Sequence, residues 1–287
     1  MNEITAGKPP VPGDVPRSDP RVEPAAAPWL GVVGRKLSRP VLMIAPWIAA
    51  VLAWYMVTLS GFISSALVPT PAQVFKQFWR LLTTQGLWFD MLVSSQRVLL
   101  GLAAGIVLAV PIGFVLGWYR PVRTAIDPLV NFFRALPPIS LIPLVIVYFG
   151  IGETAKIVML FYAAFFTGVI VMYEGIVQIN PLFIRVARTL GATDGEVFRR
   201  VIIPLTVPHV LTAVRVALGV AWATLVASEL IAAQRGLGAV IQNASNYFQI
   251  DVIYAGIISI GVIALLMDRC LRALGARLLR WQERIVP

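Results

Sequence analysis

Two residue types that anchor small folds and metal centres are almost absent from this chain, which has one cysteine, Cys270, and one histidine, His209. A lone thiol excludes an internal disulfide, and one thiol with one imidazole excludes the ligand sets of structural metal sites. Charge is scarce as well. Asp, Glu, Lys and Arg make up 13% of the 287 residues, about half their share in soluble domains. A separate soluble catalytic domain therefore does not fit. A membrane-embedded enzyme would need a paired acid and base or metal ligands facing one cavity, and the scattered acids do not supply them. Gly7-Lys8 lies in no Gly-x-x-x-x-Gly-Lys-Ser/Thr loop, so the chain has no phosphate cradle for hydrolysing ATP.

Apolar surface is what the chain has in excess. Residues of the AVILMFWYC set make up 58%, and the mean hydropathy is +0.81. One compact core cannot hide that much surface unless lipid is the solvent, which implies an all-α integral membrane protein. Six apolar runs are long enough to span: Val41 to Ile63, Leu92 to Trp118, Ala125 to Phe149, Ile157 to Gln178, Val210 to Ala232 and Val252 to Leu271. The third carries Asp127, Asn131 and Arg134 in its first half and is interrupted by Pro137, Pro138 and Pro143. It reads as a broken helix beside a protein-lined cavity.

Residues 1–39 are rich in Pro, Ala, Gly and mixed charge with no apolar period, and are expected to form a disordered cytoplasmic tail. The membrane-spanning domain then covers residues 40–287. The first long apolar run starts too late for a signal peptide and is read as a retained span.

Net charge is +10. In a soluble chain this would suggest nucleic acid; here its placement suggests orientation. With both termini inside, only Lys76, Arg80, Arg97, Lys156 and Arg235 fall outside or in outer span halves, and the other 19 of the 24 Lys and Arg fall inside. The positive-inside rule selects that orientation, with both termini cytoplasmic in a multi-pass plasma (bacterial inner) membrane protein. Arg97 and Arg215 lie close enough to span ends to snorkel. On the outer side, Thr70-Pro71-Ala72-Gln73 has the capping box and first-turn proline of a helix start. Gly101 with Gly105, and Gly113 with Gly117, form two small-xxx-small pairs for close helix packing.

Between the fourth and fifth spans, residues 179–206 read as a cytoplasmic knob of two short amphipathic helices. Asn180 caps the first, Pro181 opens it, and Leu182, Phe183, Val186, Ala187 and Leu190 form an apolar face before Gly191 stops it. The second opens on a Thr193-x-x-Glu196 capping box, buries Val197, Phe198, Val201 and Ile202, and is expected to stop before Pro204. A DNA-reading helix-turn-helix is disfavoured because both ends run into lipid spans.

Ala187, Gly191 and the closing Val201-Ile202-Ile203-Pro204 stand at the spacing of the "EAA" loop of binding-protein-dependent ABC importer permeases, with Arg185-Val186 where that family opens on Glu-Ala. The stretches Tyr148 to Ile157 and Leu218 to Gly238 resemble the taurine, alkylsulfonate and nitrate branch, closest to taurine permeases. The resemblance covers roughly Ala45 to Trp281. It implies the six-helix type I permease fold with a cytoplasmic coupling helix. It also implies that Leu182, Phe183, Val186, Ala187, Thr189, Leu190, Gly191, Ala192 and Pro204 couple to the ATPase. The implied partners are a second copy of the chain, two ABC ATPase subunits holding ATP and Mg, and an extracytoplasmic substrate-binding protein. No cofactor on this chain is implied. The cargo would be taurine or a related sulfonate, with nitrate, an aromatic carboxylate or a vitamin precursor as alternatives.

Charges inside spans are costly and mark pathways by default. Arg134, beside Pro137 and Pro138, is suited to attract an anion or, structurally, to bond carbonyls freed by the prolines. Glu229 suits a gate or a helix-helix hydrogen bond, the structural role being the commoner. Glu153 is expected in a short, solvated outer loop. An ion-coupled secondary transporter would need acids deeper in its spans, preferably in repeated halves.

Overall fold

The computed structural model describes residues 39–61, 64, 67–232 and 234–279. The N-terminal tail to residue 38, the end of the first predicted span at Ile63, and Trp281 lie outside them. All regular elements among the described residues are helical, as the sequence implies. The chain divides into two units after Met56. The first holds most of α1, Arg39–Leu59, whose residues Ile44–Leu59 are a continuous apolar helix.

The second unit holds α2 (Pro71–Thr84), α3 (Leu87–Trp118), α4 (Arg120–Ala135), α5 (Ile142–Phe149), α6 (Glu153–Val177), α7 (Pro181–Thr189), α8 (Asp194–Val197), α9 (Ile203–Ala232), α10 (Leu237–Asn246) and α11 (Ile250–Leu278). Four stretches are long and apolar enough to cross a membrane: α3, α6, α11 and the run Asp194–Ile231 that contains α9. The fifth crossing is the broken one. α4 and the segment Pro138–Phe149 meet at 85°, where Pro137 and Pro138 deny the helix two N–H donors. A short 3₁₀ turn, Pro138–Leu141, makes the corner.

The glycines of α3 settle the topology. A Cβ on Gly101, Gly105, Gly113 or Gly117 would run into Leu160, Ala164, Met172 or Ile176 of α6, respectively. The offset between partners is 59 residues at every one of these positions. A constant offset means that α3 and α6 run parallel, pressed together along a seam where only hydrogen fits between backbones. Both small-xxx-small pairs therefore pack within the chain. Parallel neighbours also require residues 119–152 to travel back across the bundle, so α4 and α5 form a crossing and not a surface hairpin.

α9 returns antiparallel, with His209 against Gly175 near one end and Glu229 beside Arg97 near the other. α11 reverses again, since Leu211 meets Gly275 and Arg215 pairs with Asp268 at 3.0 Å. Arg215 thus has a protein partner. Residue 279 ends on the same side of the bundle as α7 and α8, called here the knob end.

Candidate functional site

At the knob end, α7 forms as its sequence dictates. Asn180 Oδ1 accepts from the Leu182 N–H at 2.9 Å. Gly191 takes φ +83°, and the Ala192 N–H closes back on the Ala187 carbonyl at 3.1 Å. This is a left-handed helix stop that favours glycine. The apolar face is unpartnered: Leu182 is 52% exposed, Phe183 53%, Val186 50% and Leu190 82%. Ala187 is half-buried between them, while Thr189 returns its hydroxyl to the Arg185 carbonyl. Ala192 lies half-buried in the turn.

α8 opens on the expected capping box, with the Thr193 N–H donating to Glu196 Oε2 at 3.1 Å and the Glu196 N–H to Thr193 Oγ1 at 3.4 Å. It buries Val197 and Ile202, while the half-exposed Phe198 meets Phe114 of α3 edge-on. The helix does not stop before Pro204. A five-residue π turn, Phe198–Ile202, joins α8 to α9, and Pro204 is the second residue of α9. Widening the helix ahead of a proline relieves the crowding between its ring and the carbonyl four residues back, which allows the helix to run on. Asp194–Ile231 is therefore one rod of 38 residues, about 57 Å long.

The broken crossing holds Arg134, Pro137 and Pro138. Arg134 and Pro137 are exposed and Pro138 is half-buried. The Phe133 carbonyl, which takes the Leu136 N–H at 3.3 Å where Pro137 has no donor to give, also accepts from the Tyr162 hydroxyl of α6. Arg134 thus does not serve that carbonyl, and it forms no ion pair among the described residues. Phe133 also stacks on Phe166 of α6 with centroids 5.4 Å apart.

The opposite end carries a charged cluster that sequence reasoning missed. Arg97 is 4% exposed and does not snorkel. Its Nε and Nη2 grip both oxygens of Glu153 at 2.5 and 2.6 Å, and its Nη1 reaches Glu229 Oε1 at 2.5 Å and the Arg235 carbonyl at 2.7 Å. Lys156 adds 2.9 Å to Glu153. Glu153 is thus the paired first residue of α6 and not a merely solvated loop residue. Glu229, 1% exposed, also accepts from Ser94 Oγ at 2.9 Å and from the Gly238 N–H at 2.8 Å.

Two further ties hold the turn before α10: the Gly236 N–H donates to Asp90 and the Leu237 N–H to Ser94 Oγ, both at 2.9 Å. Ser94 and Glu229 satisfy N–H groups that open α10, where a carboxylate also complements the helix dipole. Gly236 has φ +118°, and a Cβ there would strike Glu229 Oε1 and Arg97 Nη1. The Gly236-Leu237-Gly238 stretch lets the backbone approach an ion pair. A usable signal existed in the sequence: an Arg ten residues into an apolar helix needs a buried carboxylate, and Glu229 was available. Next to this cluster a cavity of about 530 Å³ opens between α2, α10 and the starts of α3 and α11, lined by Gln77, Arg80, Asp90, Asn243, Tyr247 and Asp251 among others.

No group of three or more His, Cys, Asp or Glu suited to hold a metal occurs among the described residues. The arrangement offers an exposed apolar face at one end, a broken crossing in the middle and a locked ion-pair cluster at the other end.

Residues 101–280 match the family described as "Binding-protein-dependent transport system inner membrane component". A probable ABC transporter permease protein of Brucella abortus (strain 2308) is 45% identical over 80% of this chain and 91% of its own length. The taurine transport system permease protein TauC of Escherichia coli (strain K12) is 37% identical over 87% of this chain and 93% of its own. An inward-facing structure of the MetNI methionine ABC transporter has a chain that superposes with a TM-score of 0.55 at 20% identity, covering 70% of this chain and all of its own. That likeness is one of fold.

Proposed function

The chain belongs to the binding-protein-dependent transport system inner membrane components, non-enzymatic multi-pass permease subunits of ABC importers, and from that premise we propose that it carries taurine or a related small sulfonate inward, driven by ATPase subunits that dock on α7. One observation carries the docking assignment. Four large apolar side chains on one short, well-capped helix between α6 and the rod that contains α9 stand half or more exposed, without a protein partner among the described residues. The capped stop at Gly191 holds that face rigid.

The working assembly is two copies of this chain, two cytoplasmic ATPases supplying ATP and Mg chemistry, and a binding protein seated over the polar cavity at the Glu229 end. Both termini are then cytoplasmic. ATP-driven closure of the ATPase pair moves the knob, and the rod Asp194–Ile231 transmits that motion the length of the membrane to the Glu229 cluster. Alternating access follows as a switch between two packings. The translocation path passes the Pro137-Pro138 corner beside Arg134. Glu229, whose oxygens are already taken by protein donors, acts at the opposite end from the knob as a latch at the outer gate and not as a substrate contact.

The sulfonate assignment is supported by the taurine relative and by relatives described as putative aliphatic sulfonates transport permeases, one of them 33% identical over 84% of this chain. A relative described as a nitrate import permease is 28% identical, so an inorganic oxyanion is the second reading. The test has two parts. Co-purification of the ATPase with the tagged permease should be lost in Gly191→Asp and Leu190→Glu, and retention in both variants would defeat the docking assignment. In the reconstituted transporter, binding-protein-dependent ATP hydrolysis should rise with taurine. A rise with nitrate alone would replace the cargo and leave the docking assignment standing.

A further inference from the structure

α4 does not look like the other crossings. Arg120, Arg123, Asp127, Asn131 and Arg134 are spaced by three, four, four and three residues, which gathers them on an arc of about 80°. The stripe runs about 21 Å along the helix. Val122, Ile126, Leu129, Val130 and Phe133 occupy the adjoining face and line an apolar groove with α3 and α6. Arg120 and Arg134 are exposed, while Arg123, Asp127 and Asn131 are half-buried. None of the three arginines is engaged in an ion pair among the described residues.

An amphipathic, arginine-rich helix commonly lies flat at the membrane surface, and the register of α4 against α6 argues against that here. Near its start, Arg123 and Asp127 lie beside Tyr173. Near its end, Phe133 meets Tyr162 and Phe166. The contacts descend α6 steadily in the antiparallel sense, so α4 climbs the bundle. Arg134 therefore stands level with residues 162–166, the middle of a 25-residue apolar helix, where no headgroup is within reach and an unpaired guanidinium requires water or an anion.

We propose that this stripe is the wall of a water-filled conduit that selects small oxyanions, sulfonate or carboxylate, from the bilayer middle to the knob end. Arg134 receives the anion at the proline corner. Asn131, whose Nδ2 donates to the Asp127 carbonyl at 3.0 Å, adds a neutral amide, and Arg123 and Arg120 draw the anion on, while Asp127, held by the Tyr173 hydroxyl, keeps the net charge of the face at +2 and prevents tight capture. The conduit is open to solvent in the inward-facing state. This rests on the permease reading above and extends it from one residue to a face and a ligand class.

The test uses the full chain in proteoliposomes with its ATPase, in a Cys270→Ser background that removes the exposed native thiol. Asn131→Cys is treated with 2-sulfonatoethyl methanethiosulfonate and with its trimethylammonioethyl counterpart, each rate normalised to free cysteine in solution. The sulfonate reagent should be favoured by about tenfold, the scale of focusing by a charged cleft. Adding Arg134→Gln should bring the ratio down towards one. Absence of modification by both reagents, with an exposed Thr84→Cys control reacting, would place the stripe against lipid or protein and overturn the proposal. Modification without charge preference would overturn the selectivity. Neither readout depends on the cargo or on α7, so they separate this inference from the proposed function.

Discussion

The Glu229 cluster makes a quantitative prediction because its two carboxylates share Arg97 in opposite environments. Glu229 is fully enclosed, whereas the Glu153 side chain is 58% exposed. In Glu229→Gln the volume is kept and the charge is lost. Oε1 takes Arg97 Nη1 and Oε2 takes the Gly238 N–H, so the new amide NH₂ must face a donor whichever way it is turned. One buried donor is left unsatisfied, and the guanidinium loses its enclosed counter-charge. Removing one partner of such a pair costs about 3–5 kcal/mol. Glu153→Gln likewise sets its amide against a donor, since Arg97 takes both oxygens, but this side chain is more than half exposed, so water replaces the lost acceptor and the cost falls towards the roughly 0–1 kcal/mol of exposed pairs. The two isosteric changes should therefore differ by at least about 2 kcal/mol, roughly a 30-fold difference in the ratio of folded to unfolded protein. Denaturant titration of the detergent-solubilised permease, followed by tryptophan fluorescence, measures that difference. Equal losses within about 0.5 kcal/mol, or a larger loss in Glu153→Gln, would refute the assignment of Glu229 as the buried anchor.

Two glycine substitutions test the packing on which the site rests. Gly105→Ile should abolish folded, membrane-inserted protein, because its Cβ would already lie 2.7 Å from Ala164 Cβ and 3.0 Å from the Phe161 carbonyl oxygen; Gly219→Ala, with open space around it, should accumulate normally, and equal abundance of both by immunoblot would contradict the seam. Gly236→Ala should cost about 1–3 kcal/mol for the left-handed backbone, and more for the collision with Glu229 and Arg97, read in the same denaturant titration; a loss under about 0.5 kcal/mol would mean the turn is not held as described.

Much of this fold was legible because lipid leaves few choices. Run length located the four unbroken crossings, and the Pro137-Pro138 pair marked the broken one before any coordinates, while of the first expected span the described residues show a shorter apolar helix, Ile44–Leu59. Asn180, Gly191 and the Thr193 and Glu196 pair fixed the start, stop and restart of the knob by local chemistry alone. Other features were hidden for physical reasons. Whether Gly101 to Gly117 packed on the same chain depended on a parallel neighbour 59 residues away, which no local pattern encodes. The π turn before Pro204 escaped because proline ordinarily ends a helix, and a one-residue widening is invisible in composition.

Arg97 was the instructive error. Its distance from the span end allowed it to snorkel, yet its partners come from Glu153 and Glu229, 56 and 132 residues away. Four donor contacts with two carboxylates and a carbonyl outweigh what a guanidinium gains by stretching into water, because the guanidinium is itself buried and its contact with Glu229 forms where water is excluded. The glycines of Gly236-Leu237-Gly238 were readable as a turn, but their need to be glycine comes from the ion pair behind them. The same logic applies with opposite outcome at Arg134: no carboxylate is brought to it among the described residues, and an unpaired arginine at mid-bundle is the ground on which an external anion is proposed as its counter-ion.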